Sequence, residues 1–337
     1  YQELETFDFD ALKAQVEAEE KLTVLTGAEI ETIKGAPLLF DATIKQNGSA
    51  VEDRFGSIVL ATGATPNEKL EHLGYGKLDK VVTNVQMEEL AKEDKLGDVN
   101  RIAFIQCAGS RDKDHLPYCS GHCCRTTLKQ ATYVMDANPE AEVYIIHKDM
   151  RTPGQQEEFY RTVQEKGVTI LRGEVQEVNE GLEVLTTDVL LGDNVLLDEL
   201  DMVVLATGLV PRTKTDFDDQ VIDETPAEEG DEEAKEKPRP PATALHLDYR
   251  QGPELPNFKY GFPDSHFICF PYETRRSGIY AAGTVRRPSD IETCRLDAAG
   301  AALKAIQSME LLSQGSSPHP RVGDCSFTEI NFDRCTQ

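Results

Sequence analysis

The feature that most constrains this chain is a cysteine-rich loop between a predicted strand and a predicted helix. Residues 101–130 read RIAFIQCAGSRDKDHLPYCSGHCCRTTLKQ. The apolar run at 102–105 predicts a buried strand, and the pattern over 126–135 predicts a helix. A strand, a loop and a helix begin a dinucleotide-binding βαβ unit, in which glycines let the backbone approach a diphosphate. Here the loop has only Gly109 and Gly121. We interpret it as a nucleotide loop rebuilt to hold a metal cluster.

The cysteines of this loop follow the spacing C-x11-C-x3-C-C and are Cys107, Cys119, Cys123 and Cys124. Four thiolates are the usual ligand set of a [4Fe–4S] cluster. Structural zinc, a redox dithiol or disulfide, and buried unliganded thiols are the alternatives. Four thiols in one polar loop are hard to explain by packing, so the pattern favours the iron–sulfur cluster.

Three other side chains of the loop bear on that cluster. His115 and His122 could hydrogen-bond a sulfur or replace a ligand, but we interpret both as solvated loop histidines. Arg125 could offset the negative charge of the cluster. Cys269, Cys294 and Cys325 are interpreted as packed or loop cysteines, although Cys294 precedes the last predicted helix and could face a cofactor there.

The overall charge excludes several classes of partner. The chain has 337 residues, enough for two or three domains, and a formal net charge of −25. Nucleic-acid binding and direct docking on anionic lipid both need basic surface. No apolar run approaches the roughly 20 residues of a membrane helix. We therefore expect a cytoplasmic protein without direct membrane insertion.

Three predicted strands end in small residues and a glycine, which indicates an α/β fold. Their sequences are VLATG, VVLATG and IYAAG, ending at Gly63, Gly208 and Gly283. A bulky side chain at these points would hold the backbone away from a dinucleotide or a neighbouring strand. The second of them follows a separate βαβαβ pattern, which predicts an inserted Rossmann-like domain.

Other patterns predict the elements around this insertion. We expect a helix over 7–20 and a strand over 21–34 with a bend or bulge at Thr26-Gly27. A hairpin is predicted around Asn47-Gly48. Further on, a strand is expected at 267–270 and a helix over 297–312, opening at Ala298-Ala299-Gly300. The stretch 224–241 is rich in Glu, Asp and Pro, and predicts an acidic linker or surface loop.

The glycine-ended strands around an inserted βαβ domain resemble the two-dinucleotide-binding-domain flavoproteins of the thioredoxin reductase type. The segments IQCAGSRD, PYCSGHCC and EEFYRTVQEKGV are similar to the flavin-containing A subunits of heterodisulfide reductases. The segment LDYRQGPELPNFKYGFPDSHFICFPYETRRSGIYAAGTVRRP resembles the B subunits of the quinone-interacting membrane-bound oxidoreductases (Qmo) of sulfate reducers. Together the resemblances cover 20–212 and 245–337.

The resemblance also implies that the sequence is an internal fragment. The family has its first flavin fingerprint, G-x-G-x-x-G, near the N-terminus, and this sequence lacks it. Cys335 would be the first ligand of a ferredoxin-like motif. The expected domains are 1–97, first part of the FAD-binding domain; 98–212, NAD(P)-domain-like with the cysteine loop; 213–244, acidic linker; 245–315, second part of the FAD-binding domain; and 316–337, the start of a ferredoxin-like segment.

The resemblance implies an FAD site built from three short segments. Thr62 and Gly63 would approach the adenosine diphosphate, while Ala282, Gly283 and Thr284 would stand at the ribityl and phosphate part. The segment Ala298, Ala299 and Gly300 would bring a helix N-terminus to the flavin pyrimidine, where negative charge develops on reduction. No side chain is assigned as a catalytic acid, base or nucleophile. Lys148 and Arg151 could contact a nucleotide 2′-phosphate, but we interpret them as surface charges.

The family context implies an electron-transfer oxidoreductase subunit that carries FAD and a [4Fe–4S] cluster. Its partners would be the other subunits of a membrane-bound complex, through which it would associate with the membrane. The complex would relay electrons between the quinone pool and adenylylsulfate reductase in sulfate respiration. A pyridine nucleotide–disulfide oxidoreductase with a redox dithiol, and a non-catalytic scaffold with a metal staple, are the alternatives.

Overall fold

The computed structural model describes residues 7–213, 245, 247–249, 255–257, 260–264 and 270–316. The predicted acidic linker, most of the strand predicted at 267–270, and Cys269, Cys325 and Cys335 lie outside the described residues. The chain divides into two compact units. Among the described residues, the insert unit comprises 65–210 together with residues 7 and 288–290. The split unit comprises the described residues within 8–64, 211–287 and 291–316.

The elements follow in chain order. The helices are α1 (Phe9–Ala18), α2 (Asn84–Lys92), α3 (Cys123–Ala137), α4 (Gln156–Glu165) and α5 (Ile291–Ser313). The strands are β1 (Ala28–Ala36), β2 (Leu39–Gln46), β3 (Ser49–Phe55), β4 (Ile58–Leu60), β5 (Ala64–Pro66), β6 (Val81–Thr83), β7 (Arg101–Ala108), β8 (Glu142–His147), β9 (Thr169–Val178), β10 (Val184–Asp188), β11 (Asp193–Leu197), β12 (Met202–Thr207), β13 (Leu209–Pro211), β14 (Leu247–Tyr249) and β15 (Ile279–Ala281). β5 and β13 form a two-stranded sheet.

The insert unit is a Rossmann-like sheet, which confirms the predicted α/β fold. Its seven strands lie in the order β11-β10-β9-β8-β7-β12-β6. The five from β9 to β6 are parallel, and β10 and β11 continue the sheet antiparallel. Helices α3 and α4 connect β7 to β8 and β8 to β9. The chain then returns to the centre through β12, all six residues of which are buried, as in a sheet covered on both faces.

Successive residues of β7 divide the core of this unit between the two faces of the sheet. Phe104 packs in one cluster with Leu128 of α3 and Val163 of α4. Ile105 packs in a second cluster with Val184 and Val203. This alternation follows from the two-residue period of a strand. It fixes the carboxyl end of β7 against α3, which positions the cysteine loop.

The split unit contains a four-stranded sheet in the order β14-β1-β2-β3 and a separate parallel pair, β4 and β15. The hairpin predicted at Asn47-Gly48 is confirmed: β2 and β3 pair antiparallel, and both turn residues have positive φ, 49° and 83°. The strand predicted over 21–34 begins only at Ala28, the first residue that pairs with β2, where it lies opposite Gln46. The bend predicted at Thr26-Gly27 is a turn that immediately precedes β1, with Gly27 at a φ of 62°. Within the strand, the register also shifts between Ile30 and Thr32.

The last helix begins earlier than the sequence suggested. α5 starts at Ile291, so the prediction of a helix opening at Ala298-Ala299-Gly300 is wrong. These small residues lie within the helix, where their amides bond to the preceding turn and cannot meet an anion. The helix near the start of the chain is also shorter than predicted, and α1 has no buried residue.

In the described part of the chain, no helix combines the length and apolarity that a membrane crossing would require.

Candidate functional site

The four loop cysteines lie at the junction of β7 and α3 in the insert unit. Cys107 is the penultimate residue of β7 and has a positive φ of 58°, which is uncommon outside glycine. Cys119 lies in the loop, and Cys123 and Cys124 form the first turn of α3. The helix was expected from residue 126, so the structure adds both cysteines to its N-terminus. Cys123 and Cys124 are buried, while Cys107 and Cys119 are half-buried.

Each sulfur has a hydrogen-bonding neighbour within the insert unit. The backbone N–H of Gly121 donates to Cys119 Sγ, and that of Arg151 to Cys124 Sγ, both at 3.4 Å. Arg111 Nη1 lies 4.0 Å from Cys107 Sγ. The Cys123 thiol donates to the Thr207 carbonyl oxygen at 3.3 Å. N–H groups aimed at sulfur stabilise thiolates and tune the potentials of iron–sulfur clusters.

The thiols also affect one another electrostatically. Burial raises the pKa of Cys107, Cys123 and Cys124, and the negative charge of neighbouring thiolates raises each further. For Cys123 the contributing neighbours are the other three cysteines of the loop. The thiols of the loop are therefore electrostatically coupled. A bound metal would favour their thiolate forms, because cationic charge lowers a thiol pKa.

The described residues offer free thiol donors in the loop but no preformed ion site. Among the residues that the structure describes, no three His, Cys, Asp or Glu side chains converge on a point that would hold one ion. The five described cysteines are free of disulfides. Gln106, next to Cys107, is buried at 4% exposure, and neither atom of its amide group has a partner. Such an amide leaves hydrogen-bonding capacity for a further polar group at the loop.

The two histidines of the loop are less solvated than predicted. His115 stacks on His72 with ring centroids 4.3 Å apart and bonds to Asp112 at 3.1 Å. His122 Nε2 lies 3.9 Å from Cys123 Sγ, and burial lowers the pKa of its imidazole. Both residues are half-buried and both rings contact neighbouring side chains.

The cation next to a loop sulfur is Arg111, which sequence reasoning did not single out. Its side chain is 19% exposed, and its Nη2 donates to Asp149 Oδ2 at 2.6 Å. The predicted cation, Arg125, instead lies 3.8 Å from Asp290. The available signal was the position of Arg111, four residues after Cys107.

Gly208 packs against the same loop. A Cβ at this position would lie 3.1 Å from the Ser110 side chain and 3.2 Å from those of Leu116 and Ser120. The small residue predicted there for close approach therefore serves contact between the end of β12 and the cysteine loop.

In the split unit, the predicted flavin segments come together at one edge of the parallel pair. Thr62 and Gly63 follow β4, while Ala282, Gly283 and Thr284 follow β15. Gly63 and Gly283 have φ values of 77° and 75°. A Cβ added to Gly63 would meet only the Thr284 hydroxyl, at 3.8 Å. Two left-handed glycines beside open space fit the close approach of a dinucleotide backbone.

Asp297 organises this edge, and sequence reasoning missed it. Its Oδ2 accepts the Gly283 N–H at 2.8 Å and the Arg286 Nε–H at 2.8 Å. The side chains of Asp297 and Arg286 are both buried, at 4% and 8% exposure. The guanidinium also lies over the Tyr272 ring, 4.9 Å from its centroid. The available signal was an acidic residue, Asp297, directly before the small residues Ala298, Ala299 and Gly300 of the predicted helix.

The third predicted flavin segment, Ala298-Ala299-Gly300, lies inside α5 and therefore offers no helix N-terminus to a flavin. Ala298 and Ala299 are exposed within α5, and a Cβ on Gly300 would overlap the Tyr272 ring. Gly300 is therefore required for packing. Cys294, one turn before Asp297, is half-buried, and its Sγ lies 3.8 Å from where a Gly283 Cβ would stand.

No protein-family model matches the chain. The chain is 34% identical over 315 residues to the A subunit of the H2:CoB–CoM heterodisulfide, ferredoxin reductase of Methanothermobacter thermautotrophicus, covering 86% of this chain and 43% of that protein. It is 32% identical over 286 residues to an iron–sulfur A subunit of the CoB–CoM heterodisulfide reductase of Methanopyrus kandleri. That match covers 78% of this chain and 39% of the Methanopyrus protein. Its homologues are heterodisulfide reductase A subunits. The chain spans less than half the length of these relatives.

Solved structures similar to this heterodisulfide reductase homologue include two further oxidoreductases. The NAD-dependent persulfide reductase of A. fulgidus is 18% identical, with a TM-score of 0.43, and the match covers 80% of this chain and 40% of that one. The thioredoxin reductase of Giardia duodenalis is 16% identical, with a TM-score of 0.37, covering 88% and 79%.

Proposed function

We propose that this chain is the flavin- and cluster-carrying part of an electron-transfer oxidoreductase of the heterodisulfide reductase type. The observation that carries the proposal is the cysteine loop at the carboxyl end of β7. A Rossmann-like sheet has its phosphate-binding glycines at that position. Here four cysteines of one loop take their place. The homologous region of the Methanopyrus protein belongs to a subunit named as iron–sulfur.

The proposed cluster is a [4Fe–4S] cluster, with Cys107, Cys119, Cys123 and Cys124 as its ligands. The Gly121 and Arg151 amides would hydrogen-bond two of the sulfurs, and Arg111 would place positive charge beside a third. Gln106 is available as a further donor. These groups keep the thiols in one place and offset the negative charge that thiolates bring.

The proposed flavin is FAD, held at the edge formed by Thr62, Gly63, Ala282, Gly283 and Thr284. Asp297 fixes the turn at Gly283, so the backbone there is positioned before any ligand binds. The segment Ala298, Ala299 and Gly300 is left out of this proposed site, because it lies inside α5 and not at its N-terminus. When bound, flavins transfer two electrons or one and iron–sulfur clusters transfer single electrons.

A finer assignment follows the resemblance to the Qmo B subunits. The chain would act with the other subunits of a membrane-bound complex and associate with the membrane through them. That complex would relay electrons between the quinone pool and adenylylsulfate reductase. The chain would then be an internal part of a longer subunit. A quinol analogue should reduce the bound cofactors, and adding adenylylsulfate reductase with adenylylsulfate as electron acceptor should reoxidise them. If neither addition changes the oxidation state of the cofactors, this assignment is wrong.

Anaerobic purification followed by iron, sulfide, zinc and flavin analysis tests the cofactor proposal. We expect about four iron and four sulfide per chain, and replacement of Cys123 or Cys124 by Ser should remove the cluster signal. Cys294→Ser is the matched control, because this half-buried cysteine lies in the split unit. Stoichiometric zinc, or no metal with two titratable thiols, would contradict the proposal and favour a scaffold or a redox dithiol.

A further inference from the structure

A polar cleft of about 370 Å³ lies in the insert unit where β8 ends and β9 continues past it. His147, the last residue of β8, pairs with Arg172 of β9. Beyond this pair, Lys148 and Asp149 face the cleft from one side, and Arg172 and Glu174 from the other. Arg111 of the cysteine loop completes the charged lining.

The charges of the cleft are arranged around one carboxylate. Asp149 accepts from Arg111 Nη2 at 2.6 Å through one oxygen, and from Arg172 Nη2 at 3.4 Å through the other. Lys148 Nζ lies 3.4 Å from Glu174 Oε1. Three cations thus face two carboxylates, and the cleft carries a local positive excess on a chain whose net charge is −25. A single carboxylate shared by two guanidiniums leaves each with further N–H donors.

The lining selects the chemistry of a ligand. Val189 is the one apolar side chain among the lining residues, so the cleft suits a hydrophilic molecule. Guanidinium groups match the oxygens of a phosphate with paired hydrogen bonds, and a lysine adds a point charge. The volume falls in the range of small-molecule sites and exceeds what a bare tetrahedral anion would fill.

We propose that this cleft binds a small phosphate monoester, with its phosphate group between Arg111, Lys148 and Arg172. The sequence pattern had paired Lys148 with Arg151, but Arg151 does not line the cleft, and its backbone N–H donates to Cys124. The site does not depend on the cofactors proposed above, because every group that forms it is a side chain of the described residues. Arg111 also lies beside Cys107, so the ligand binds next to the cysteine loop.

Calorimetric titration of the full chain at constant ionic strength tests the proposal, with AMP, inorganic phosphate and adenosine as probes. We expect AMP to bind more tightly than inorganic phosphate, and adenosine not to bind. Arg172→Gln and Lys148→Gln should each weaken AMP binding about tenfold, the usual effect of losing one charge-assisted hydrogen bond. Thermal unfolding of each variant checks that it is folded.

The matched control is Arg161→Gln on α4, which removes the same charge from an exposed residue paired with Glu165. This variant should bind AMP like the parent chain. An equal loss of affinity in the control would show that the weaker binding comes from the change in net charge, and would refute a specific site in the cleft. Absence of saturable AMP binding would also overturn it, as would adenosine binding as tightly as AMP. If inorganic phosphate binds as tightly as AMP, the assignment to an ester is wrong.

Discussion

The carboxylate of Asp297 in α5 accepts the backbone N–H of Gly283, which lies 14 residues earlier and just after β15, at 2.8 Å. The same carboxylate pairs with the buried Arg286 guanidinium. One side chain of the helix therefore holds both a left-handed glycine turn and a buried cation. The backbone geometry at Gly283, part of the proposed flavin edge, is therefore held by this carboxylate.

Replacement of Asp297 by Asn should destabilise the chain strongly. It leaves the Arg286 charge buried without a counter-charge, and breaking one partner of a buried pair costs about 3–5 kcal/mol. Urea unfolding measures the loss. Glu292→Gln is the matched control on the same helix, because its pair with Arg295 is exposed and should contribute below about 1 kcal/mol. Equal losses in the two variants would show that Asp297 does not hold the turn.

Gly63→Ala should lower both stability and flavin content. The left-handed φ of 77° disfavours alanine by about 1–2 kcal/mol, and the new methyl group enters the proposed flavin edge. Gly27→Ala is the control, because Gly27 has a similar φ of 62° and no atom within 4 Å of its added Cβ. Both variants should lose similar stability, measured by thermal unfolding. Only Gly63→Ala should lose bound FAD, measured by absorbance per chain.

Arg111→Gln should shift the midpoint potential of the proposed cluster to a more negative value, by tens of millivolts. Removing positive charge beside Cys107 disfavours the extra electron of the reduced state. An EPR-monitored redox titration of the loaded protein measures the shift. Lys113→Gln removes the same charge from an exposed residue of the same loop and should leave the potential nearly unchanged. A shift of equal size in both variants would contradict a specific role for Arg111.

His147 should make the chain less stable in mild acid. Burial lowers the pKa of its imidazole below the ordinary value of about 6.5. As the pH falls below 6.5, the unfolded chain takes up a proton that the folded chain does not. The free energy of unfolding then decreases by up to about 1.4 kcal/mol per pH unit.

His147→Leu should remove this slope, because it replaces a buried ring whose Nδ1 has no partner by an apolar side chain. Urea unfolding at pH values from 5 to about 8 compares the two chains. Above pH 7 the imidazole is neutral in both states, so the two curves should run parallel there. A variant with the same slope as the parent chain below pH 6.5 would assign the acid sensitivity to other groups.

Features set by local sequence could be predicted, and those set by distant partners could not. The hairpin at Asn47-Gly48 depends on two adjacent residues. The order of strands and helices in the insert unit was likewise predicted from the spacing of apolar residues along the sequence. The pairs Arg111–Asp149 and Arg286–Asp297 join residues 38 and 11 positions apart. The local signals at Arg111 and Asp297 mark each residue but do not identify its partner, so the charges that organise both sites were missed.

Two of the misplaced element boundaries have a related cause. Residues 21–27 alternate as a strand would, yet they are exposed and lie outside β1. A strand needs a partner as well as a pattern. In α5, the small residues Ala298 to Gly300 suggested a helix beginning. Gly300 is instead small because the Tyr272 ring packs against it, a contact that helix propensity does not reflect.

The pairing of β4 with β15 also sets an order of folding. Leu60 lies opposite Ala281, and the Ser57 hydroxyl bonds to the Gly278 carbonyl oxygen 221 residues away. The insert-unit strands, by contrast, lie within one continuous stretch of the chain. Contacts of long sequence separation close slowly and late. During synthesis the insert unit should therefore fold first, while β4 remains an exposed edge until β15 has been made.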